Sequence, residues 1–242
     1  MVNTRIFAAE RSFDIGCRVV KWDEEGGLDL HPQGKYSRRD ISFDELSPLM
    51  KQFTVHWSVT YRAKHMHGGL IARGLSCNFM IDDDCDDKGY ATIYQNLDIR
   101  HAGWSQGGGC NGLGPGVEIS YMPGAWSKDQ YTAQLQKKWN VPPHEVVVAP
   151  VHGTKLKVHL PTKAQIASLL QLMWGFVELF PHVPVKFPRT TQGFPVTTKL
   201  ADPKAYSGFL NHYHISRGKI DTAGLDMEMV EEEVEKRKQL GY

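Results

Sequence analysis

Histidine, lysine and aspartate residues stand close together in the segment NHYHISRGKID, residues 211–221. His212 and Asp221 are nine positions apart, and Lys219 lies two residues before the aspartate. A catalytic zinc ion takes three protein ligands of the His, Asp, Glu or Cys type and keeps one position open for water. The segment could therefore supply two zinc ligands and a cation, and the third ligand would come from elsewhere in the chain.

His56 is a candidate for that third ligand because it lies inside an apolar run, between Val55 and Trp57. A buried histidine requires a hydrogen-bond partner or a function, so a hydrogen-bonded core histidine is the alternative interpretation. Glu118, in GVEIS, is likewise a carboxylate in an apolar strand. Hydrolysis of an amide needs a general base and a cation that stabilises the oxyanion. Glu118 and Lys219 are candidates for these two roles.

Short apolar and β-branched runs predict the strands that would carry these residues. The predicted strands are QFTVHWS (52–58), LSCNFMI (75–81), YATIYQ (90–95), GVEISYM (116–122) and part of VVVAPVHG (146–153). Apolar residues at spacings of three and four after a Thr162–Gln165 capping box predict a helix over residues 162–180. A second helix is predicted at the C-terminal end. Strands and helices without regular alternation indicate an α/β fold of the α+β type, with a central mixed sheet flanked by helices.

The remaining segments show little periodicity. Residues 1–50 are predicted to form an N-terminal extension of unknown role, much of it loop, and residues 51–242 the main domain with its C-terminal helix. His65 and His67 lie beside glycines, and we interpret this stretch as a loop with solvated histidines. The acidic run DDDCDDKG (82–89) is expected to be a hairpin turn, because it lacks the glycine and glutamate of a calcium loop.

Net charge and the distribution of apolar residues and cysteines argue against several classes of protein, among them nucleic-acid-binding and membrane-spanning proteins. The formal net charge of +1 gives no reason to expect a nucleic acid or an anionic membrane as partner. The most apolar segment, residues 166–180, is too short to span a bilayer. The first residues contain no apolar run of a secretory signal, so we expect synthesis in the cytosol. The four cysteines show no CxxC pair and are expected to be free thiols.

Several motifs together resemble one enzyme family. TVHWS, ATIYQ, RHAG, CNGLGPGVEIS and NHYHISRGKIDTAG occur in an order and at spacings similar to those of zinc-dependent N-acetylmuramoyl-L-alanine amidases. That family includes phage amidase lysozymes, a bacterial cytosolic anhydro-muropeptide amidase and peptidoglycan-recognition proteins. The resemblance covers roughly residues 50–226. Each motif is weak alone, and the ordered set carries the resemblance.

The resemblance implies a fold with a central mixed sheet and one zinc ion per chain. The implied zinc ligands are His56, His212 and Asp221, and the implied catalytic residues are Glu118 and Lys219. Glu118 would activate the attacking water, and Lys219 would stabilise the oxyanion.

Two further residues match positions that shape the substrate groove in the family, His101 in RHAG and Asn111 in CN. The motif NHYHISRGKIDTAG departs from the usual family pattern, in which glycine precedes the histidine and proline follows the aspartate. Here Asn211 and Thr222 occupy those places. His214 is therefore a rival to His212 as ligand, and the spacing to the aspartate favours His212.

The activity that the resemblance implies is hydrolysis of the amide between N-acetylmuramic acid and L-alanine in peptidoglycan or muropeptides. The alternatives are a peptidoglycan-binding module without catalysis and an amidase component of a phage or secretion assembly. A phage endolysin or an assembly component would act on the cell wall, whereas a recycling enzyme would act on soluble fragments. Oligomeric state and stem-peptide preference stay open.

Overall fold

The computed structural model of the protein describes residues 2–124, 129–140 and 144–241. The strands in these ranges are β1 (Arg5–Ala8), β2 (Arg11–Asp14), β3 (Val19–Lys21), β4 (Tyr36–Ser37), β5 (Gln52–Trp57), β6 (Phe79–Ile81), β7 (Ile93–Gln95), β8 (Ala102–Gly103), β9 (Gly116–Ile119), β10 (Val146–Val151), β11 (Thr154–His159) and β12 (Gly208–Asn211). The helices are α1 (Phe43–Leu46), α2 (Ala63–Arg73), α3 (Asp129–Trp139), α4 (Lys163–Leu179), α5 (His212–Ile215) and α6 (Met227–Leu240), with a 3₁₀ turn at Ser47–Leu49.

One six-stranded sheet organises the molecule, in the order β12-β5-β9-β6-β7-β3. Neighbouring strands are parallel except β6 and β7, which are antiparallel. Every residue of β5 and β9 is buried, so the polar residues Thr54, His56 and Glu118 lie in the interior between apolar neighbours. With helices packed around it, this mixed sheet confirms the predicted fold class.

Helix α4 supplies much of the core on one side of the sheet. It begins after Thr162, whose hydroxyl accepts the N–H of Gln165 while the Gln165 side chain accepts the N–H of Thr162. The apolar stripe of α4 is buried, including Leu169, Met173 and Phe176. The predicted helix and its capping box are therefore confirmed, and the predicted C-terminal helix is α6, which packs on α4.

The interpretation of residues around His65 and His67 as a loop was wrong, because they lie in helix α2. Met66 and Leu70 are buried against the sheet side of this helix. The helix tolerates its two adjacent internal glycines because of this packing. It ends at Gly74, which adopts the left-handed conformation (φ 62°) common after a helix.

The first 50 residues contribute to the sheet itself. Strand β3 pairs with β7, with Val19 opposite Ile93, and forms one edge of the sheet. The hairpin β1–β2 and the residue after it pack closely on α4, because a Cβ atom on Gly175 would lie 3.0 Å from Cδ1 of Ile6 and 2.3 Å from Cγ2 of Ile15. The division of the chain at residue 50 stays a prediction, but the two predicted parts share one β-ladder.

A hairpin formed by β10 and β11 lies between β9 and α4 along the chain. The strand predicted within residues 146–153 is confirmed as β10. The four cysteines are free, as predicted. Among the described residues, no helix combines the length and the apolar character needed to cross a membrane.

Candidate metal centre

Two neighbouring parallel strands bring two histidines together. His56 lies in β5, and His212 follows directly after Asn211, the last residue of the adjacent strand β12. The chain then turns so that the N–H of Tyr213 donates to the carbonyl of Asp221 at 3.0 Å. This turn returns Asp221 to the carboxyl edge of the sheet, beside both histidines.

The three side chains converge on one point. Nδ1 of His56 lies 2.9 Å from Nδ1 of His212 and 3.3 Å from Oδ2 of Asp221. Nδ1 of His212 lies 2.9 Å from the same Asp221 oxygen. All three residues are buried, and together they form a group that could hold a metal ion.

The hydrogen bonds of His212 indicate which nitrogen is available to a metal. Its Nε2–H donates to the backbone carbonyl of Gln106 at 3.1 Å, and a carbonyl can only accept. In the neutral ring, Nδ1 therefore carries a lone pair, and this lone pair faces the carboxylate of Asp221. Two acceptors at 2.9 Å repel each other unless a proton or a cation lies between them.

Electrostatics favour the forms that bind a metal. Burial, followed by the charge of His212, lowers the pKa of His56 from 6.5 to about 4, so this ring is neutral near pH 7. Burial opposes ionisation of Asp221, but the adjacent imidazoles of His212 and His56 outweigh it and hold the pKa of Asp221 below its usual range. Neutral imidazole and ionised carboxylate are the protonation states that coordinate metals.

The donor set fits zinc. Donors about 2.0–2.2 Å from a tetrahedral zinc ion lie roughly 3.3 Å from one another. The separations of 2.9–3.3 Å found here require only small adjustments. Two imidazole nitrogens and one carboxylate oxygen leave a fourth position open, as catalytic zinc sites do. The site therefore has the number, type and spacing of ligands that this metal requires.

Glu118 lies beside the cluster on the neighbouring strand. It pairs with His56 across the parallel ladder of β5 and β9, and is 6% exposed. Its Oε2 has no hydrogen-bond partner among the residues that the structure describes. Burial, reinforced by the charge of Asp221, raises the pKa of Glu118 well above its usual range. A buried carboxyl oxygen without a partner is costly, which makes Glu118 a candidate for a functional role.

A cavity of about 820 Å³ opens above the cluster. Its polar lining consists of Ser58, Thr60, His65, Arg73, Ser105, Glu118, His212, Lys219 and Asp221. Its apolar lining includes Trp57, Val59, Met66, Leu70, Leu75 and Ile220. The open side of the cluster thus faces a space large enough for part of a peptide or a sugar.

Lys219 is exposed at the wall of this cavity. Its backbone carbonyl accepts a hydrogen bond of 3.0 Å from Nε2–H of His152, at the tip of the β10–β11 hairpin. Gly224, three residues after Asp221, lies against the same hairpin. A Cβ atom built on Gly224 would lie only 3.1 Å from side-chain carbons of Val147 and Val158. The hairpin therefore supports the loop that carries Lys219 and Asp221.

His214 points away from the cluster. Its Nδ1 accepts the N–H of Asn211 at 3.0 Å, and its Nε2–H donates to the carbonyl of Val196 at 2.7 Å. Both ring nitrogens are therefore occupied within the core. In this geometry His212, and not His214, is placed to bind a metal.

The two predicted groove residues lie outside the cavity lining. His101 is half-buried; its Nδ1 accepts the N–H of Arg39, and its ring contacts those of His31 and Tyr36. Burial, and then the positive charges nearby, lower its pKa to about 4. Asn111 binds backbone N–H groups within its own loop. Their assignment to the substrate groove stays a prediction that the cavity lining does not support.

The sequence did not indicate Gln106, whose backbone carbonyl anchors His212, because a backbone acceptor has no side-chain signature. Arg73 and His65 were also missed as cavity residues, since α2 was expected to be a loop. The helical spacing of Met66 and Leu70 is the signal that could have corrected this.

Comparison with known proteins finds similarity in solved structures. No protein-family model matches the chain, and no curated protein matches its sequence. N-acetylmuramyl-L-alanine amidase AmiD from E. coli, solved with anhydro-N-acetylmuramic acid-L-Ala-D-gamma-Glu-L-Lys, is 13% identical over 74% of this chain, with a TM-score of 0.38. The alignment spans about half of that structure (53%).

Two other solved structures are similar over more of their length. The catalytic domain of XlyA is 14% identical, with 90% of this chain and 99% of that chain covered and a TM-score of 0.41. The Staphylococcus aureus hydrolase AmiA, solved with its ligand, is 12% identical, with 98% and 97% covered and a TM-score of 0.46.

Proposed function

We propose that the protein is a zinc-dependent amidase that hydrolyses the bond between N-acetylmuramic acid and L-alanine. The observation that carries the hydrolytic part is the convergence of the Nδ1 atoms of His56 and His212 with Oδ2 of Asp221 beneath an open cavity. Buried Glu118 beside this group adds the second element of a metal-assisted hydrolase. The choice of substrate rests on the ordered motifs shared with the amidase family.

In this proposal His56, His212 and Asp221 hold the ion. When bound, zinc lowers the pKa of a coordinated water toward about 7, polarises a carbonyl, and by its charge favours the ionised form of a nearby carboxyl. Glu118 then accepts the proton of the attacking water and later delivers it to the leaving amine of L-alanine. Lys219 stabilises the negative charge that develops on the carbonyl oxygen.

The cavity walls suit an amide substrate. Exposed Val59 and half-buried Leu75 and Ile220 provide apolar surface that displaces water around the reacting bond. Exclusion of water strengthens the attraction between the developing oxyanion and Lys219, because the local dielectric constant falls. The hydroxyl group of Thr60 can donate a hydrogen bond to a polar ligand, and the Ser58 hydroxyl, which donates to the Thr60 carbonyl at 2.9 Å, can accept one.

Mass spectrometry of products tests the proposal directly. Purified peptidoglycan incubated with the zinc-loaded protein should release free stem peptides that begin with L-alanine, and a chelator should stop the release. Binding of peptidoglycan without any released peptide would overturn the proposal in favour of a non-catalytic binding module. Comparison of intact sacculi with soluble anhydro-muropeptides then separates a cell-wall lysin or assembly component from a recycling enzyme.

A further inference from the structure

The glycine-rich loop between β8 and β9 is held by one amide side chain. Oδ1 of Asn111 accepts the backbone N–H groups of Gln106 and Gly107, each at 3.0 Å. One carbonyl oxygen has two lone pairs, so a single asparagine can satisfy both donors. The loop segment from Gln106 to Asn111 is thereby closed on itself.

Gln106 is held by hydrogen bonds of its side chain as well as of its backbone. Its side chain is buried, and Nε2–H donates to the carbonyl of Gly114 at 2.9 Å. Its backbone N–H goes to Asn111 and its backbone carbonyl accepts from His212. The carbonyl that anchors His212 thus belongs to a residue with little freedom to move.

The hydrogen bond from His212 to the Gln106 carbonyl matters because the Nε2 atoms of the two histidines have few partners among the described residues. Among the residues that the structure describes, the Gln106 carbonyl is the one acceptor within hydrogen-bond distance of Nε2 of His212. Nε2 of His56 is buried and has no partner in the same set. His56 is oriented by its strand, in which every residue is buried. His212 follows the end of a strand, so its ring depends more on this hydrogen bond.

We infer that Asn111 is a positioning residue for the metal centre. Through the backbone of Gln106 it keeps His212 in the tautomer with the proton on Nε2, so that the lone pair of Nδ1 points toward His56 and Asp221. Direct hydrogen-bond partners such as the Gln106 carbonyl orient metal-binding histidines and raise their affinity for the ion, and Asn111 holds that partner in place. The inference rests on the metal site of the proposed function and is independent of the substrate.

Zinc affinity, measured by competition with a chromophoric chelator, tests this role. Asn111→Ala should raise the Kd for zinc by about 10-fold, the lower end of the range for loss of a direct partner, because Asn111 acts through the Gln106 backbone. Asn111→Asp keeps an oxygen that accepts both N–H groups and should hold the Kd close to that of the unsubstituted protein. Asn3→Ala is the matched control, because Asn3 accepts the N–H of Arg5 in a similar local turn far from the site.

A second readout separates positioning from simple loss of stability. In the zinc-loaded protein the Nε2 proton of His212 should exchange slowly with solvent and give a sharp imidazole NMR signal. In Asn111→Ala that signal should broaden, while Asn111→Asp and Asn3→Ala retain it. If Asn111→Ala folds too poorly for study, Asn111→Ser, which offers a shorter acceptor, should show an intermediate zinc affinity and an intermediate exchange rate.

Unchanged zinc affinity and an unchanged Nε2 proton signal in Asn111→Ala would overturn the inference while leaving the proposed function intact. Failure of the unsubstituted protein to bind zinc would overturn the metal site itself. Zinc binding that depends on Asn111, in a protein that releases no stem peptide, would support the inference and reject the proposed function.

Discussion

His212 and His214 are separated by one residue, yet their rings belong to different networks. Nδ1 of His212 faces His56 and Asp221, whereas both nitrogens of His214 are used by backbone groups of Asn211 and Val196. His214 thus acts as part of the core that supports the turn after β12.

This difference predicts opposite results for two alanine variants. His212→Ala should abolish tight zinc binding, because two donors hold the ion poorly. His214→Ala should retain zinc but lose stability, since it leaves the buried N–H of Asn211 unpaired at about 1–3 kcal/mol and also removes the partner of the part-buried Val196 carbonyl. Elemental analysis and thermal unfolding of both variants give the test, and a zinc-free His214→Ala protein with zinc-replete His212→Ala would reverse the assignment.

Zinc should stabilise the folded protein through Asp221. A ligand that binds only the folded state adds about 2.7 kcal/mol at a concentration of 100 times its Kd. Addition of zinc to chelator-treated protein should therefore raise Tm by several degrees. Asp221→Asn, which removes the charge with little change in size, should show a much smaller rise; an equal rise in both proteins would place the ion elsewhere.

Glu118 and Lys219 should affect rate without affecting metal content. Glu118→Gln removes the general base, which typically costs about 10²–10⁴ in rate. Lys219→Met removes one group that stabilises the oxyanion, at a cost of roughly 10²–10³. Release of stem peptides and zinc content are measured together. Lys64→Met is the matched control, an exposed lysine on α2 outside the cavity lining, and a fully active, zinc-replete Lys219→Met enzyme would refute its role.

His101 should contribute to acid sensitivity. Burial and neighbouring positive charges lower its pKa in the folded protein to about 4, below the ordinary 6.5. Between these values the unfolded chain binds a proton at this residue and the folded protein does not, so the free energy of unfolding falls as pH falls from about 6.5 to 4. His101→Asn keeps an acceptor for Arg39 but cannot titrate, so its unfolding free energy should fall less steeply in this range. Denaturant titrations at several pH values measure the difference; parallel curves would contradict it.

The sheet and helix α4 could be predicted from sequence because their signals are local. The apolar run around His56 and the capping box at Thr162 each specify an element without reference to the rest of the chain. Strand β3, only Val19–Lys21, is too short to give a periodic signal and forms through its partner β7. Helix α2 was missed because its glycines suggest a loop, and burial of Met66 and Leu70 overrides that preference.

Some features of the candidate site could also be predicted from the sequence, and others could not. The residue types and spacings of His56, His212 and Asp221, together with the ordered motifs around them, predicted the three side chains that the structure brings together. The anchoring of His212 by a backbone carbonyl could not be predicted, because its donor and acceptor are 106 positions apart and the acceptor does not depend on residue type. The position of His101 against residues of the first 50 likewise required the fold.

The pairing of β5 with β9, which places His56 opposite Glu118, determines where the chain can tolerate inserted residues. A single residue inserted within Gln52–Trp57 or Gly116–Ile119 would turn one of the two side chains to the opposite face of the sheet, and no substitution nearby would restore it. The connection between β9 and α4 already accommodates an entire hairpin without disturbing that pairing. Libraries of insertions should therefore be tolerated in the connections, and eliminated almost completely within these two short strands.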